Sequence, residues 1–207
     1  MPAACTVVVL TFNEEANLAA CLDSLRTWTT AIFVVDSGST DATVRIATER
    51  GATVVSHKFE THARQWQWAL SALPITTDWV LALDADQQVT PELAASIGAH
   101  VTTPGQAKGA FVCRRQVFRG KWIRFGGYYP KYLLKLFRRD AVTIDEGDLV
   151  DHHFTVADHT VNLRGDLIED NRNEARIADW TAKHNRYAAL QAQQEIRESR
   201  ERSRLGV

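Results

Sequence analysis

The stretch WVLALDAD, residues Trp79–Asp86, joins an unbroken apolar run to two carboxylates that follow it directly. An apolar run of this length without polar alternation is typical of a strand buried on both faces of a parallel sheet. Asp84 and Asp86 would then stand at the carboxyl end of that strand, where such sheets bind their ligands. The stretch therefore predicts an α/β fold with a site at this edge of the sheet.

The residues around this stretch repeat the same pattern. Three more apolar runs are predicted strands: Cys5–Thr11, Ala31–Asp36 and Ala52–Ser56. The predicted helices are Asn13–Arg26 with Asn13 as its cap, Asp41–Arg50, Thr61–Ala72, and a helix that Thr90 caps with Pro91 at its first position. An order that alternates strands and helices in this way predicts a mostly parallel central sheet flanked by helices.

Acidic side chains follow three of the predicted strands. They lie in Thr11–Glu15 (TFNEE), Asp36–Asp41 (DSGSTD) and Asp84–Asp86 (DAD). Each segment alone is also typical of turns and helix caps. Because parallel strands bring their carboxyl ends to one edge, the three together predict a ligand site. Mg²⁺ or Mn²⁺ needs only one or two protein carboxylates when substrate phosphates supply other ligands, and the Asp84–Asp86 pair suits that mode.

The second half of the chain has a different pattern. The predicted elements are strands Gly109–Phe118 and Lys131–Phe137, a hairpin of Val150–Val156 with Thr160–Leu163, and a helix Ile177–Leu205. We expect one domain over 1–176 and a C-terminal helical extension over 177–207. The polar part of that helix, after Ala188, is expected to pair with a second copy of the chain or to lie on a membrane.

Charge and cysteine content narrow the class of partner. The formal net charge of -1 argues against nucleic acid as a partner. Nine Lys or Arg and no acid lie between Arg114 and Arg139, which favours phosphate or an anionic membrane surface. The three scattered cysteines fit a reducing compartment, and neither a secretory leader nor a membrane span is recognised, so a cytoplasmic location is expected.

The three acidic segments closely resemble the signature of the family 2 inverting glycosyltransferases of the GT-A fold. Later segments resemble a bacterial subgroup that includes the lipopolysaccharide core β-1,4-glucosyltransferases: QWQWAL at Gln65–Leu70, LLKLFRR at Leu133–Arg139 and WTAKHNRY at Trp180–Tyr187. The resemblance covers nearly the whole chain. It implies a GT-A domain over 1–176, with a nucleotide-sugar half over 1–100 and an acceptor half over 101–176.

The resemblance also implies a donor site and its chemistry. A UDP-sugar is the implied donor, with a cell-envelope glycan or a lipid-linked molecule as acceptor. Asp36 would accept a hydrogen bond from the base, Asp84 would lie near the ribose, and Asp86 would contact a Mg²⁺ or Mn²⁺ ion on the diphosphate. The full set of implied donor-site residues is Thr11, Asn13, Glu14, Glu15, Asp36, Ser37, Gly38, Arg64, Gln67, Asp84, Ala85 and Asp86.

The catalytic base is the point where the sequence departs from the family. Inverting transfer needs one base to deprotonate the acceptor hydroxyl. Relatives are expected to carry an acid where this chain has His152, in VDHHF. Either His152, whose ordinary pKa of about 6.5 suits the task, or the neighbouring Asp151 would be the base. Since a strand alternates its faces, both cannot point inward without a bulge.

Two hypotheses about the function stay open, and two other classes of enzyme are disfavoured. The chain is either an active inverting glycosyltransferase or a nucleotide-sugar-binding protein of the same fold that lacks turnover because of His152. A nucleotidyltransferase usually carries a glycine-rich basic loop after its first strand, and a dinucleotide-dependent dehydrogenase carries GxGxxG there. Here that position holds the acidic TFNEE.

Overall fold

The computed structural model describes residues 3–145, 153–174 and 176–205, and within the last range it describes no side chain for Asp179 or for 198–205. Five α-helices lie in these ranges: α1 Leu18–Asp23, α2 Thr43–Glu49, α3 His62–Ala72, α4 Pro91–Thr102 and α5 Ile177–Leu205. A short 3-10 helix, Arg172–Glu174, precedes α5. None of the helices in the described part of the chain has the length and apolar content that a membrane span requires.

Most of the strands form one mixed sheet. The strands are β1 Ala3–Thr11, β2 Thr29–Asp36, β3 Thr53–Ser56, β4 Trp79–Asp84, β5 Gln87–Val89, β6 Gly109–Phe118, β7 Lys121–Trp122, β8 Lys131–Arg138, β9 Val142–Ile144, β10 Phe154–Val156 and β11 Thr160–Asp170. Their order in the sheet is β3-β2-β1-β4-β8-β6-β11-β5, with β7 beside β6. The first four are parallel, β8 runs antiparallel to β4 and β6, and β11 is parallel to β6.

The sheet is buried on both faces. In β1 the side chains of Val7 and Val9 pack on the face covered by α1 and α4, and Val8 packs on the face of α3. Burial of each such side chain contributes about 1.5 to 3 kcal/mol to folding. A strand covered in this way has no need of polar alternation, which is why the apolar runs predict the first four strands well.

The predicted first helix begins later than expected. Asn13 adopts a positive φ of 54°, and α1 starts only at Leu18. The reason is that the backbone N–H groups after β1 bond to the loop after β2 and not along a helix. Glu14 N donates to Thr43 Oγ1 at 2.7 Å, and Glu15 N donates to Asp41 Oδ2 at 3.1 Å.

The predicted hairpin of Val150–Val156 with Thr160–Leu163 is wrong. β10 pairs with β9 in a separate two-stranded sheet, and β11 pairs along β6. The cause is burial, since Leu163 and Leu167 of β11 join the core under α4. β11 also passes so close to α4 that a Cβ on Gly165 would lie 2.3 Å from the backbone nitrogen of Leu93.

Candidate active site

A cleft of about 840 Å³ opens at the carboxyl edge of the parallel strands. Each of the three acidic segments contributes to its wall, and six of the residues singled out from the sequence line it: Thr11, Glu14, Ser37, Asp84, Ala85 and Asp86. They lie together because β2, β1 and β4 are adjacent and parallel. The structure thus brings all three segments to a single cavity.

A second group of the predicted residues does not line the cleft but orders the loop that does. The carboxylate of Asp36 is buried and accepts hydrogen bonds from Gly38 N at 3.0 Å, Ser39 N at 2.9 Å and Thr11 Oγ1 at 3.2 Å. With the Ser39 hydroxyl as a further donor, the Asp36 carboxylate is engaged by the loop that follows it and by Thr11 of β1. Asn13 Oδ1 accepts from Thr40 N at 2.9 Å. Asp36 and Asn13 therefore order the loop that presents Ser37.

Glu15 belongs to the same supporting group. Its Oε2 accepts a hydrogen bond from Ala42 N at 3.0 Å, just before α2. Gly38 has a φ of 94°, a conformation that suits glycine and lets the loop turn sharply after β2. Both residues shape the rim of the cleft through the backbone.

Asp84 has a buried partner that the sequence does not reveal. Lys135 Nζ donates to Asp84 Oδ2 at 3.0 Å, and the lysine side chain is only 6% exposed. Lys135 lies on β8, which pairs with β4, so the sheet itself brings the two charges together. In the sequence Lys135 is one of nine cations in a basic run expected to form a solvated or anion-docking face.

Asp86 lies near three other carboxylates of the cleft. Burial raises the pKa of its carboxyl well above the usual range, and the nearby charges of Glu169, Asp84 and Glu14 raise it further. The ammonium of Lys183 acts in the opposite direction. Neighbouring carboxylates whose negative charges repel one another in this way are a suitable environment for a hard cation.

The carboxylates of the cleft fit a metal site that substrate phosphates complete, and not a site formed by protein ligands alone. Among the described residues, no three His, Cys, Asp or Glu side chains are grouped so that they could hold an ion by themselves. Asp84 and Asp86 supply the one or two carboxylates that Mg²⁺ or Mn²⁺ uses when phosphates complete its ligands. The assignment of Asp86 to the metal stays a prediction.

α5 contributes a wall of the cleft that the sequence pattern did not predict. Trp180, Lys183, His184 and Tyr187 all line the cavity. Their spacing of i, i+3, i+4 and i+7 places them on one helix face, and this spacing was the signal that could have found them. Glu169 of β11 also lines the cleft, and nothing local in the sequence marks it.

Arg64 and Gln67 are not brought to the cleft. They line a separate shallow pocket on α3 with His57, Glu60 and Trp68, and Arg64 pairs with Glu60. The same helix turns His62 and Gln65 toward the main cleft instead. A part for Arg64 and Gln67 in donor binding stays a prediction.

The two predicted base residues, Asp151 and His152, lie outside the described residues. The chain is described again from His153, which is exposed, and β10 follows at Phe154. The Phe154 ring packs against those of Trp66 and Phe137, at 5.2 and 4.6 Å between centroids. The assignment of the base stays a prediction.

Comparison with known proteins gives one family. Residues 6–156 match the model of the glycosyl transferase family 2. An uncharacterized glycosyltransferase of Rickettsia typhi is 38% identical over 89 residues, which are 43% of this chain and 30% of that protein. The lipopolysaccharide core biosynthesis glycosyltransferase LpsC of Rhizobium meliloti is 27% identical over 95% of this chain and 73% of its own length.

Solved structures give the fold. Glucosyl-3-phosphoglycerate synthase from Mycobacterium tuberculosis, crystallised with Mn²⁺, UDP and glucosyl-3-phosphoglycerate, superposes with a TM-score of 0.54. The similarity covers 92% of this chain and 79% of that one, at 18% identity. The predicted α/β fold of the GT-A type, with a helix at its C-terminal end, is confirmed.

Proposed function

Because the chain belongs to the glycosyl transferase family 2, we propose that the protein is an inverting glycosyltransferase that uses a nucleotide-diphosphate sugar, most simply a UDP-sugar. Its acceptor is a glycan or a lipid-linked molecule of the cell envelope. This proposal goes further than the family alone, since members of one fold differ in donor and acceptor.

One observation carries the proposal. The ends of β1, β2 and β4 deliver Glu14, Ser37 and Asp86 to a single cleft at the carboxyl edge of the parallel strands. A nucleotide-sugar has three parts that such a cleft would receive: a base, a ribose and a diphosphate. The cleft is lined by aromatic, hydroxyl and carboxylate groups, each of which can contact one of these parts.

The aromatic part of the site lies beside the first motif. Phe12 and Phe59 line the cleft with 57% and 42% of their surface exposed. An aromatic ring left open to a cavity is a platform on which a flat base can stack. We assign the base to this end of the cleft, near Ser37, and the diphosphate to the Asp84–Asp86 end.

Two proteins in the comparison support the choice of donor and acceptor. The mycobacterial synthase binds UDP and Mn²⁺ on the same fold. The name of the Rhizobium relative places it in lipopolysaccharide core synthesis. We extend a UDP-sugar donor and an envelope acceptor to this chain from these two likenesses.

In the proposed mechanism the chain positions the donor and moves one proton. Asp86, with Asp84 beside it, would hold a Mg²⁺ or Mn²⁺ ion, which when bound would neutralise charge on the departing diphosphate. Lys135 fixes Asp84 through their 3.0 Å contact. Asp151 or His152 would accept the proton of the acceptor hydroxyl, and inversion follows from direct displacement on the face opposite the leaving group.

The acceptor side of the protein has features that suit an anionic membrane. Within the described residues, four of the nine cations from Arg114 to Arg139 pair with carboxylates, and the other five are exposed: Arg119, Lys121, Arg124, Lys131 and Arg139. Phe125 beside them is 85% exposed. We propose that the segment 119–131, called the basic loop, contacts anionic lipid at the cytoplasmic face of the membrane. A basic loop with an exposed ring binds such a surface.

The proposal is tested by donor turnover. Purified protein is incubated with UDP-glucose, UDP-galactose and UDP-N-acetylglucosamine in Mn²⁺, and UDP release is measured with and without a lipid-linked glycan acceptor. We expect release from at least one donor, and none from the Asp86→Ala variant. Full activity of that variant would contradict the assignment of Asp86 as the metal ligand. Donor binding without release by the wild-type protein would favour the nucleotide-sugar-binding reading.

A further inference from the structure

A polar network joins the start of the chain to the segment before α5. The side chain of Asn17 is buried. Its Nδ2 donates to Glu14 Oε2 at 2.7 Å and to Asn171 Oδ1 at 3.2 Å, and its Oδ1 accepts from Arg172 N at 2.9 Å. The residues that connect β11 to α5 are therefore tied to the first acidic motif.

The network continues into α5 itself. Asn171 Nδ2 donates to Glu174 Oε1 at 2.7 Å, and Lys183 Nζ donates to the same oxygen. Asn173 Nδ2 reaches both Asn13 O and Glu14 Oε2 at 3.2 Å. The pair Glu174–Lys183 thus fixes the second turn of α5, which begins at Ile177.

This arrangement holds a cation on the wall of the cleft that faces the acidic residues. The Lys183 side chain keeps 30% of its surface exposed and lines the same cavity as Asp84 and Asp86. Burial lowers the pKa of Lys183, but the contact with Glu174 and the charge of Asp86 outweigh it and raise the pKa. The ammonium therefore stays charged, and its field reaches Asp86.

We propose that Lys183, positioned by Glu174 and the network behind it, binds the diphosphate of the donor directly. The inference rests on the proposed function and adds to it a phosphate ligand from the C-terminal helix. A diphosphate brings its negative charge into a cleft that already holds Glu14, Asp84, Asp86 and Glu169. A single divalent ion offsets only part of that charge, and a lysine is a compact point charge suited to phosphate.

A purely structural role for the Glu174–Lys183 pair is the competing explanation, and the two differ in what they predict. If the pair only holds α5 in place, breaking it from either side will have the same effect. If Lys183 binds phosphate, its loss will weaken diphosphate ligands selectively, whereas Glu174→Gln, which keeps the ammonium, will retain most of the affinity. Arg186 is exposed on the same helix and serves as the matched control.

The experiment compares UDP, by calorimetry, with uridine, by ligand-observed NMR, in saturating Mg²⁺, which is diamagnetic and leaves the NMR signals sharp. We expect Lys183→Met to weaken UDP at least tenfold and to leave uridine unchanged, with partial recovery in Lys183→Arg and no effect of Arg186→Met. Three results would overturn the inference. Lys183→Met could bind UDP as tightly as the wild type does, or it could lose as much affinity for uridine as for UDP. Glu174→Gln could also lose as much UDP affinity as Lys183→Met loses. If the wild-type protein binds none of UDP, ADP, GDP and TDP, the proposed function itself fails, and the inference fails with it.

Discussion

Lys135 Nζ lies 3.0 Å from Oδ2 of Asp84, across the antiparallel pair of β8 and β4. The lysine side chain is 6% exposed, and the aspartate keeps 35% of its surface open to the cleft. A buried cation thus fixes a carboxylate of the cleft from inside the sheet. The pair couples the stability of the fold to the geometry of the site.

Loss of Lys135 should destabilise the protein. Breaking a buried ion pair costs about 3 to 5 kcal/mol. Because Asp84 still reaches solvent, we expect Lys135→Met to lower the free energy of unfolding by about 2 to 3 kcal/mol, measured by urea denaturation. The exposed Lys131 of the same strand is the control, and Lys131→Met should change stability by less than about 0.5 kcal/mol.

The double variant tests whether the two charges are coupled. Asp84→Asn in the Lys135→Met background removes the carboxylate that has lost its buried cation. It should therefore cost less than Asp84→Asn alone costs in the wild-type protein. Strictly additive effects would show that the contact contributes no coupling energy.

Asp86→Asn should separate stability from metal binding. In the folded protein burial and the charges of Glu169, Asp84 and Glu14 raise the pKa of Asp86. The unfolded chain loses this proton near its ordinary pKa of about 3.9, so the metal-free wild type becomes less stable as pH rises from there through the raised pKa. An asparagine side chain does not titrate, so the Asp86→Asn variant does not lose stability in this way as pH rises. Melting in EDTA should show Asp86→Asn at least as stable as wild type at pH 7. With UDP present to complete the ligands of the ion, Mn²⁺ should raise the melting temperature of the wild type only.

Two results would contradict that expectation. One is a metal-free Asp86→Asn protein that melts clearly below the wild type. The other is an equal response of both proteins to Mn²⁺, since that would place the ion elsewhere.

Much of the fold follows from local sequence. β6 and α5 have the bounds the pattern predicts, and the predicted cap at Thr90 is confirmed by its contact with Leu93 N. These elements depend on an apolar period and on one capping side chain, and both are visible in a short window.

What the sequence does not reveal depends on contacts between distant segments. The late start of α1 depends on the loop after β2, and the position of β11 depends on its burial under α4. From the sequence alone, Lys135 is predicted to be a surface cation. Its burial becomes clear only from the pairing of β8 with β4. In the site, the three acidic motifs were predictable because parallel strands share an edge, whereas Glu169 comes from a strand whose pairing is not local.

The exposed basic loop should bind anionic lipid. Each Lys or Arg near such a surface contributes about 1 kcal/mol, so Arg119→Ser with Lys121→Ser should weaken vesicle binding by at least tenfold. Phe125→Ser should weaken it further, because the ring is 85% exposed. Sedimentation with phosphatidylcholine vesicles, with and without phosphatidylglycerol, measures this. Arg26→Ser with Arg45→Ser removes the same charge elsewhere, and an equal loss in this control would refute a role for the loop.

The base should be either Asp151 or His152. Loss of a general base lowers turnover about 10²- to 10⁴-fold. We expect one of Asp151→Asn and His152→Ala to show such a loss of UDP release with UDP affinity unchanged, and the other to stay active, since the transfer requires a single base for one proton. Normal turnover in both variants would mean that another group takes the proton.

Calorimetric titration of UDP, with and without Mn²⁺, into the wild-type protein and into Asp86→Ala decides whether the cleft binds a nucleotide diphosphate through a metal at Asp86. We expect Mn²⁺ to strengthen UDP binding to the wild type and to have no such effect on Asp86→Ala. A wild type that binds no UDP under either condition, or an Asp86→Ala variant that responds to Mn²⁺ as the wild type does, would refute this role of the cleft.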